Sequence, residues 1–185
     1  AKVDTTPFWN KKIDAAAFAK MQEDRMAKAR TIIDKMIAAK GPRTIENTLR
    51  PYDDALLELD AVSSQASLIE NVHPDSALRT TAEQMSQKAS AMYTEYSLNR
   101  GLYDALKAID LTGADAETRY YVEKTLRDFR LSGVDKDDAT RAKIKALREE
   151  LVQISQEFQR NYRGGRRTIT ASSAAELGGL PADYI

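Results

Sequence analysis

The chain has no cysteine and one histidine, His73, in 185 residues. Without a thiol there are no disulfides, no thiolate nucleophile, no Cys-ligated zinc and no iron–sulfur cluster, and the compartment stays undecided between cytoplasm and periplasm. With one imidazole there is no HExxH zinc site, which needs two histidines one turn apart on a helix. A serine triad would depend on that same ring, and a Cys–His dyad lacks its sulfur. Net charge is absent too: 28 Lys and Arg balance 28 Asp and Glu. Nucleic-acid and acidic-membrane binders need an excess of cations, so neither partner is expected. No apolar run approaches the roughly 18 residues of a membrane-spanning helix. The start, Ala1-Lys2-Val3-Asp4, does not lead into the apolar stretch of a signal peptide. Proline and glycine are scarce, 5 and 8, and most fall where helices should stop.

What is present is an ordinary globular composition, 42% hydrophobic and 30% charged, with apolar residues at helical spacing. Residues 1–13, with Pro7 and the pair Phe8-Trp9, read as an extended lead-in; residues 14–185 read as one helical region. Asp14 is placed to cap a helix running to about Lys40, with a stripe of Phe18, Met26, Ala29, Ile33, Met36 and Ile37 and a stop at Gly41-Pro42. Thr48 is the expected cap of a second helix, putting Pro51 in its first turn, where a missing N–H does no harm. Its stripe is Leu49, Tyr52, Leu56, Leu59, Ala66 and Ile69, and it stops at His73-Pro74.

A third helix follows Asp75, with Met85, Ala89, Met92 and Tyr96 on one face. It continues through Leu102, Tyr103, Leu106 and Ile109 past a kink or interruption at Gly101. A fourth starts near Asp115, turns Tyr121, Val122, Leu126 and Phe129 inward, and ends at Ser132-Gly133. The last is capped by Asp135 and carries Ile144, Leu147, Leu151, Ile154 and Phe158 at alternating spacings of three and four, a seam suited to pairing with another long helix. After Gly164-Gly165, Thr168-Ile169-Thr170 has strand propensity and Ser172–Glu176 reads as a cap and one helical turn. The expected fold is all-α: about five long antiparallel helices with a short strand-like C-terminal segment. Because a lone strand needs a partner, and Pro181-Ala182-Asp183 often opens a helix, the chain reads as continuing beyond Ile185.

Candidate chemistry is sparse. Glu70-x-x-His73 has the spacing of half a di-iron carboxylate site, which needs a second such pair and two more carboxylates. With one histidine it reads instead as a helix-end His near the C-terminal dipole. Asp53-Asp54 and Asp137-Asp138 are adjacent, so their side chains diverge on a helix; they read as first-turn charges, not acid/base pairs. Arg163-Gly164-Gly165-Arg166-Arg167 has the residues to grip a phosphate, but as one basic run in a neutral chain it reads as a solvated helix stop. The Met and Tyr residues of the third helix read as core, although a peptide-binding face would use the same residue types. No catalytic or metal-ligating residue is assigned.

Several segments, in order, carry a resemblance. Arg43-Thr44-Ile45-Glu46-Asn47-Thr48-Leu49 resembles the Glu-Asn-Thr element of zinc oligopeptidases of the thimet oligopeptidase, neurolysin and oligopeptidase A family. Ala116-Glu117-Thr118-Arg119-Tyr120-Tyr121-Val122-Glu123-Lys124, with Phe129 and Gly133, resembles the helix before that family's long amphipathic helix, itself similar in Leu147, Leu151, Phe158 and Asn161. Ala175-Glu176-Leu177-Gly178-Gly179-Leu180-Pro181-Ala182-Asp183-Tyr184-Ile185 resembles its Glu-Leu-x-Gly-Leu-Pro segment.

The resemblance implies a helical metallopeptidase with a deep channel. In such enzymes zinc is held by an HExxH helix and a distant Glu in the C-terminal half, and the motif Glu activates water. This chain has no HExxH, so the resemblance implies the inert N-terminal region of such an enzyme, shaping the channel for short peptides and packing against a catalytic lobe that binds the zinc. An isolated piece would expose an apolar face and be prone to self-association. A stand-alone helical interaction module, or a pseudo-enzyme, is the alternative reading.

Overall fold

Asp14 opens the first helix as expected. Its carboxylate accepts the Ala17 N–H at 2.7 Å, and α1 runs Ala15–Ala38. In this computed structural model, which describes residues 13–165, 168 and 170–181, five more helices follow. They are α2 (Arg50–Val72), α3 (Ser76–Ser97), α4 (Arg100–Lys107), α5 (Ala116–Ser132) and α6 (Asp138–Gly164). The class is all-α. The expected lead-in lies outside the described residues up to residue 12; Ile13 packs partly against the core. The chain divides into two units, Ala1–Val152 and Gln153–Ile185.

In the first unit α1, α2 and α3 pack on one another. Contacts between α1 and α2 descend along one helix as they climb the other: Gln22 to Gln65, Arg25 to Glu58. These two helices are antiparallel. Contacts from α1 to α3 climb together, Glu23 to Lys88 and Arg30 to Glu95, so α3 runs parallel to α1 and antiparallel to α2. Alanines with no exposure line the interfaces (Ala29, Ala55, Ala66, Ala82, Ala89), and their small volume lets the helix backbones approach closely. Phe18, Ile33, Leu59, Leu78, Leu102 and Leu106 are the largest apolar side chains sealed inside. Glu58 receives both Arg25, at 2.7 Å, and Lys28, at 2.5 Å. Burial alone would raise its carboxyl, but those two hydrogen bonds outweigh it and hold the group below the usual carboxylate range.

The helix ends differ from expectation in instructive places. α1 stops at Ala38, short of Lys40, and Gly41 (φ 92) is not its C′ residue. Its last carbonyls are capped instead by Arg43, whose guanidinium donates to Met36 O at 2.6 Å and Ile37 O at 3.0 Å. Thr48 is not the cap of α2; it is buried, and α2 follows directly on one wide π turn, Ile45–Leu49, which Thr44 caps. Pro51 has no N–H, and its ring would clash with the carbonyl four residues back in a regular helix; widening that turn relieves both problems.

The interruption after α3 is set by Asn99, not by Gly101. Asn99 accepts the Leu102 N–H at 3.0 Å and caps α4, while Gly101 lies inside α4, where a Cβ would stand 3.4 Å from Ile37 Cγ2. Asp137, not Asp135, caps α6, binding both the Thr140 N–H at 2.8 Å and its hydroxyl at 2.7 Å. Asp75, Asp115 and Gly133 behave as read: the two aspartates cap α3 and α5, and Gly133 (φ 97) closes α5 with Val134 N–H reaching back to Phe129 O at 3.2 Å.

Val122 and Phe129 of α5 are buried and Leu126 packs partly on the core, but Tyr121 is 37% exposed, contrary to its inward assignment. α6 presents the apolar face expected of an isolated piece: its seam finds no partner helix in the first unit, and Leu147 is 49% exposed and Leu151 61%. What holds this helix in the first unit is polar: Arg148 donates to Ser97 Oγ at 2.9 Å and Arg141 to Leu98 O at 3.4 Å.

The second unit holds the end of α6, where Ile154 and Phe158 are 53% and 64% exposed, and a 3-10 turn at Ala174–Leu177. Ser173 makes no side-chain cap there; Glu176 accepts the Ser172 N–H at 3.1 Å instead. Thr168 and Thr170 form no strand, and Ile169 lies outside the described residues. The one isolated bridge among the described residues is elsewhere, between Arg43 and Ile109 in the first unit. Propensity alone does not make a strand without a partner to take its backbone groups. No described helix is long and apolar enough to cross a membrane.

Candidate functional site

Most residues singled out in the sequence turn out to hold structure. His73 ends α2, and its Nδ1 accepts the Asp75 N–H at 3.1 Å, a turn contact ahead of α3. Glu70 is half-buried one turn before it. Among the described residues no group of three or more His, Cys, Asp and Glu side chains is placed to hold a metal ion. Asp137 is a cap and Asp138 pairs with Arg141. Of the basic run, Arg166 and Arg167 lie outside the described residues, and Gly165 N–H closes the helix on Asn161 O at 2.8 Å.

The Arg43–Leu49 segment is a joint. Asn47 sits at its centre. Its Oδ1 accepts the Thr44 N–H at 2.9 Å and the Thr48 hydroxyl at 2.7 Å, its Nδ2 donates to Pro42 O at 3.0 Å, and its own N–H donates to Thr44 Oγ1 at 3.2 Å. Beside it Arg43 caps α1, and its carbonyl accepts the Asp110 N–H at 2.8 Å, tying the far end of α4 to the start of α2. Replacing Asn47 with alanine removes three side-chain bonds at an exposed joint. It should cost about 1–2 kcal/mol, read from urea denaturation, whereas Asn47→Asp keeps both acceptor roles and should lose less. Equal losses for the two substitutions would show that the acceptor oxygen is not what holds the joint.

The sequence reading missed a tyrosine cleft. It has a volume of about 260 Å³ and lies between α2, α3 and α5. Tyr52, Tyr93, Tyr96 and Tyr121 line it, with Phe129 at 6.2 Å (centroid to centroid) from Tyr52. The Tyr121 hydroxyl donates to Asp53 Oδ1 at 3.2 Å, and the Tyr93 hydroxyl donates to Asp60 Oδ1. Burial first, then the neighbouring carboxylates, pushes Tyr121 up to about 12. Burial likewise raises Tyr52 and Tyr93, the latter helped by its bond to Asp60. Lys124 and Asp128, also in the lining, pair at 3.0 Å. The core assignment made for the third helix holds for Met85, Met92 and Tyr96 but only half for Tyr93, which reaches out to Asp60. The signal available in the sequence was the ratio of 8 tyrosines to 4 phenylalanines, an excess of aromatic rings that need a polar partner when buried.

No protein-family model matches the chain. Among curated proteins it is similar to saccharolysin of Saccharomyces cerevisiae, 25% identical over 80% of this chain and 21% of that protein. It is similar to the mitochondrial intermediate peptidase of Homo sapiens, 26% identical over 74% of this chain and 20% of that protein. It is also similar to oligopeptidase A of Escherichia coli, 25% identical over 80% of this chain and 23% of that protein. The chain thus spans about a fifth of the length of the curated relatives it matches. The chain is thus similar to peptidases from yeast, a mammal and a bacterium, in line with the resemblance that its ordered motifs carry.

Proposed function

We propose that this chain is the N-terminal helical region of a zinc-dependent oligopeptidase that hydrolyses short peptides. In that role it forms part of the channel wall and leaves catalysis to residues outside it. The observation that carries the reading is the similarity of about four-fifths of the chain to about a fifth of each of several peptidases. Among the described residues the donor set does not fit a zinc ion: the one histidine turns Nδ1 to a backbone N–H, and no three His, Cys, Asp and Glu side chains are placed to hold a metal. In this reading the zinc and the water it would activate belong to the catalytic part of the parent. The apolar stripe of α6 supports the same reading, because in the first unit Leu147 and Leu151 are 49% and 61% exposed, a face fit to pack on that part. Partners are then the parent's catalytic lobe and short peptides, with no nucleic acid, as the balanced charge suggests.

The test has two arms. The complete reading frame should encode an HExxH downstream, and its product should cleave a quenched fluorescent peptide of about ten residues with loss of activity on zinc chelation. The 185-residue chain, with or without added zinc, should leave the same peptide intact. A reading frame lacking HExxH, or cleavage by the chain alone, overturns the proposal; the former would favour a helical interaction module using the α6 face.

A further inference from the structure

We infer that the exposed apolar edge at the C-terminal end of α2, formed by Leu68 and Val72, is the docking surface of the chain's own lead-in, which lays Phe8 and Trp9 against it.

Leu57, Leu68 and Val72 of α2 are 48%, 44% and 67% exposed. Leu57 and Leu68 are about three helical turns apart, and Leu68 and Val72 about one, so all three share one edge of the helix. That edge borders α1. Glu58 and Gln65 bond to Arg25 and Gln22 of α1, and Val72 follows Gln65 by two turns on the same side. Because the two helices are antiparallel, Val72 comes level with the first turn of α1.

Reach selects the occupant. The described residues begin at Ile13, which packs partly on the core just before the Asp14 cap, and residues 1–12 lie outside them. Phe8 and Trp9 precede Ile13 by five and four positions. At roughly 3.3–3.6 Å per residue they extend up to about 13–18 Å from it, more than the roughly 8–10 Å between packed helix axes. Both rings can therefore meet Val72 and Leu68. Leu57 lies about 22 Å along the helix from Val72 and is out of range. A tethered segment also has an effective concentration on the order of millimolar, which places it ahead of a second copy of the chain. Chemistry agrees with reach. Each ring offers roughly 150–250 Å² to remove from water, and two aliphatic side chains take it with no polar group stranded. The same segment carries Lys11 and Lys12. The last turn of α2 holds no basic residue, and Arg79 is engaged by the carbonyls of His73 and Pro74 just beyond it. Two ammonium groups beside that end meet the negative pole of the helix.

Trp9 is the one tryptophan of the chain, so its fluorescence reports the docking directly. In the 185-residue chain its emission should lie to the blue of that in urea, and acrylamide should quench it several-fold less than in the urea-unfolded chain. Leu68→Gln with Val72→Gln should bring emission and quenching close to the unfolded values while far-ultraviolet circular dichroism stays helical. Leu57→Gln, on the same edge but out of reach, should change neither. Emission of the unaltered chain matching that in urea, blue emission that survives the double variant, or a blue shift lost on dilution, the mark of a second copy, each overturns the proposal. Should the double variant fail to fold, nuclear Overhauser contacts between the Trp9 indole and the methyl groups of Leu68 and Val72 in the unaltered chain decide it: their presence supports the docking and their absence overturns it.

Discussion

Replacing Phe18 with alanine should lower the stability of the chain by about 3–5 kcal/mol. The side chain is fully buried in the first turn of α1, where that helix meets the core. Two costs add: the lost transfer of an aromatic ring out of water, and the cavity left because three mutually packed helices cannot all close in on it. Since a domain of this size is stable by only about 5–15 kcal/mol in total, the loss is a large fraction of what holds it folded. Urea denaturation followed by far-ultraviolet circular dichroism measures it. Phe18→Leu keeps most of the volume and should lose far less. A loss below about 1 kcal/mol for Phe18→Ala would mean that the start of α1 is not packed as the structure shows.

Alkali should unfold the chain early, and the tyrosine cluster is the reason. Burial, before any charge effect, raises Tyr52, Tyr93, Tyr96 and Tyr121, with Tyr96 and Tyr121 at about 12. In the unfolded chain each returns to about 10. An acid held protonated in the folded state gives stability that is fully present below its unfolded value and lost as pH rises toward and through the folded one. The window therefore opens near pH 10 and runs through about 12. Within it stability should fall by about 1.4 kcal/mol per pH unit for each proton that unfolding releases, with a smaller share from half-exposed Tyr121 because solvent screens it. The measurement is the urea midpoint across that range, with tyrosinate absorbance recorded in parallel. Tyr93→Phe and Tyr121→Phe should each flatten the slope. A midpoint that stays level while the tyrosines ionise at their ordinary value would show that the cluster is not buried.

Elements that depend on neighbours in sequence were legible. Asp14, Asp75 and Asp115 cap helices because a short carboxylate can reach N–H groups two or three residues ahead whatever the rest of the fold does. Pro74 and Gly133 stop helices for equally local reasons. The stripes of α1 to α3 also read correctly, because a stripe at helical spacing has one face to bury. Two local readings settled on a neighbour of the residue the fold uses: Asp135 instead of Asp137, and Gly101 instead of Asn99, because the length of the preceding turn fixes which residue reaches the first N–H groups. Gln22, fully buried and donating to Gln65 at 2.8 Å, shows the same limit in the core, since a polar residue on an apolar stripe reads as solvent-facing until its partner is known.

By itself, then, the sequence determined the all-α class, most of the helix limits, the lack of an HExxH motif and, through its ordered motifs, the resemblance to oligopeptidases, which similarity to named peptidases supports. Tertiary structure alone decided that Arg43 caps α1 from across a loop, that tyrosines from positions 52, 93 and 121 share one cleft, and that the apolar stripe of α6 stands exposed. The physical reason is range. Capping and periodicity are set by backbone geometry within a few residues, whereas a cleft or an uncovered face depends on which distant surfaces meet, and that is settled only when the helices pack.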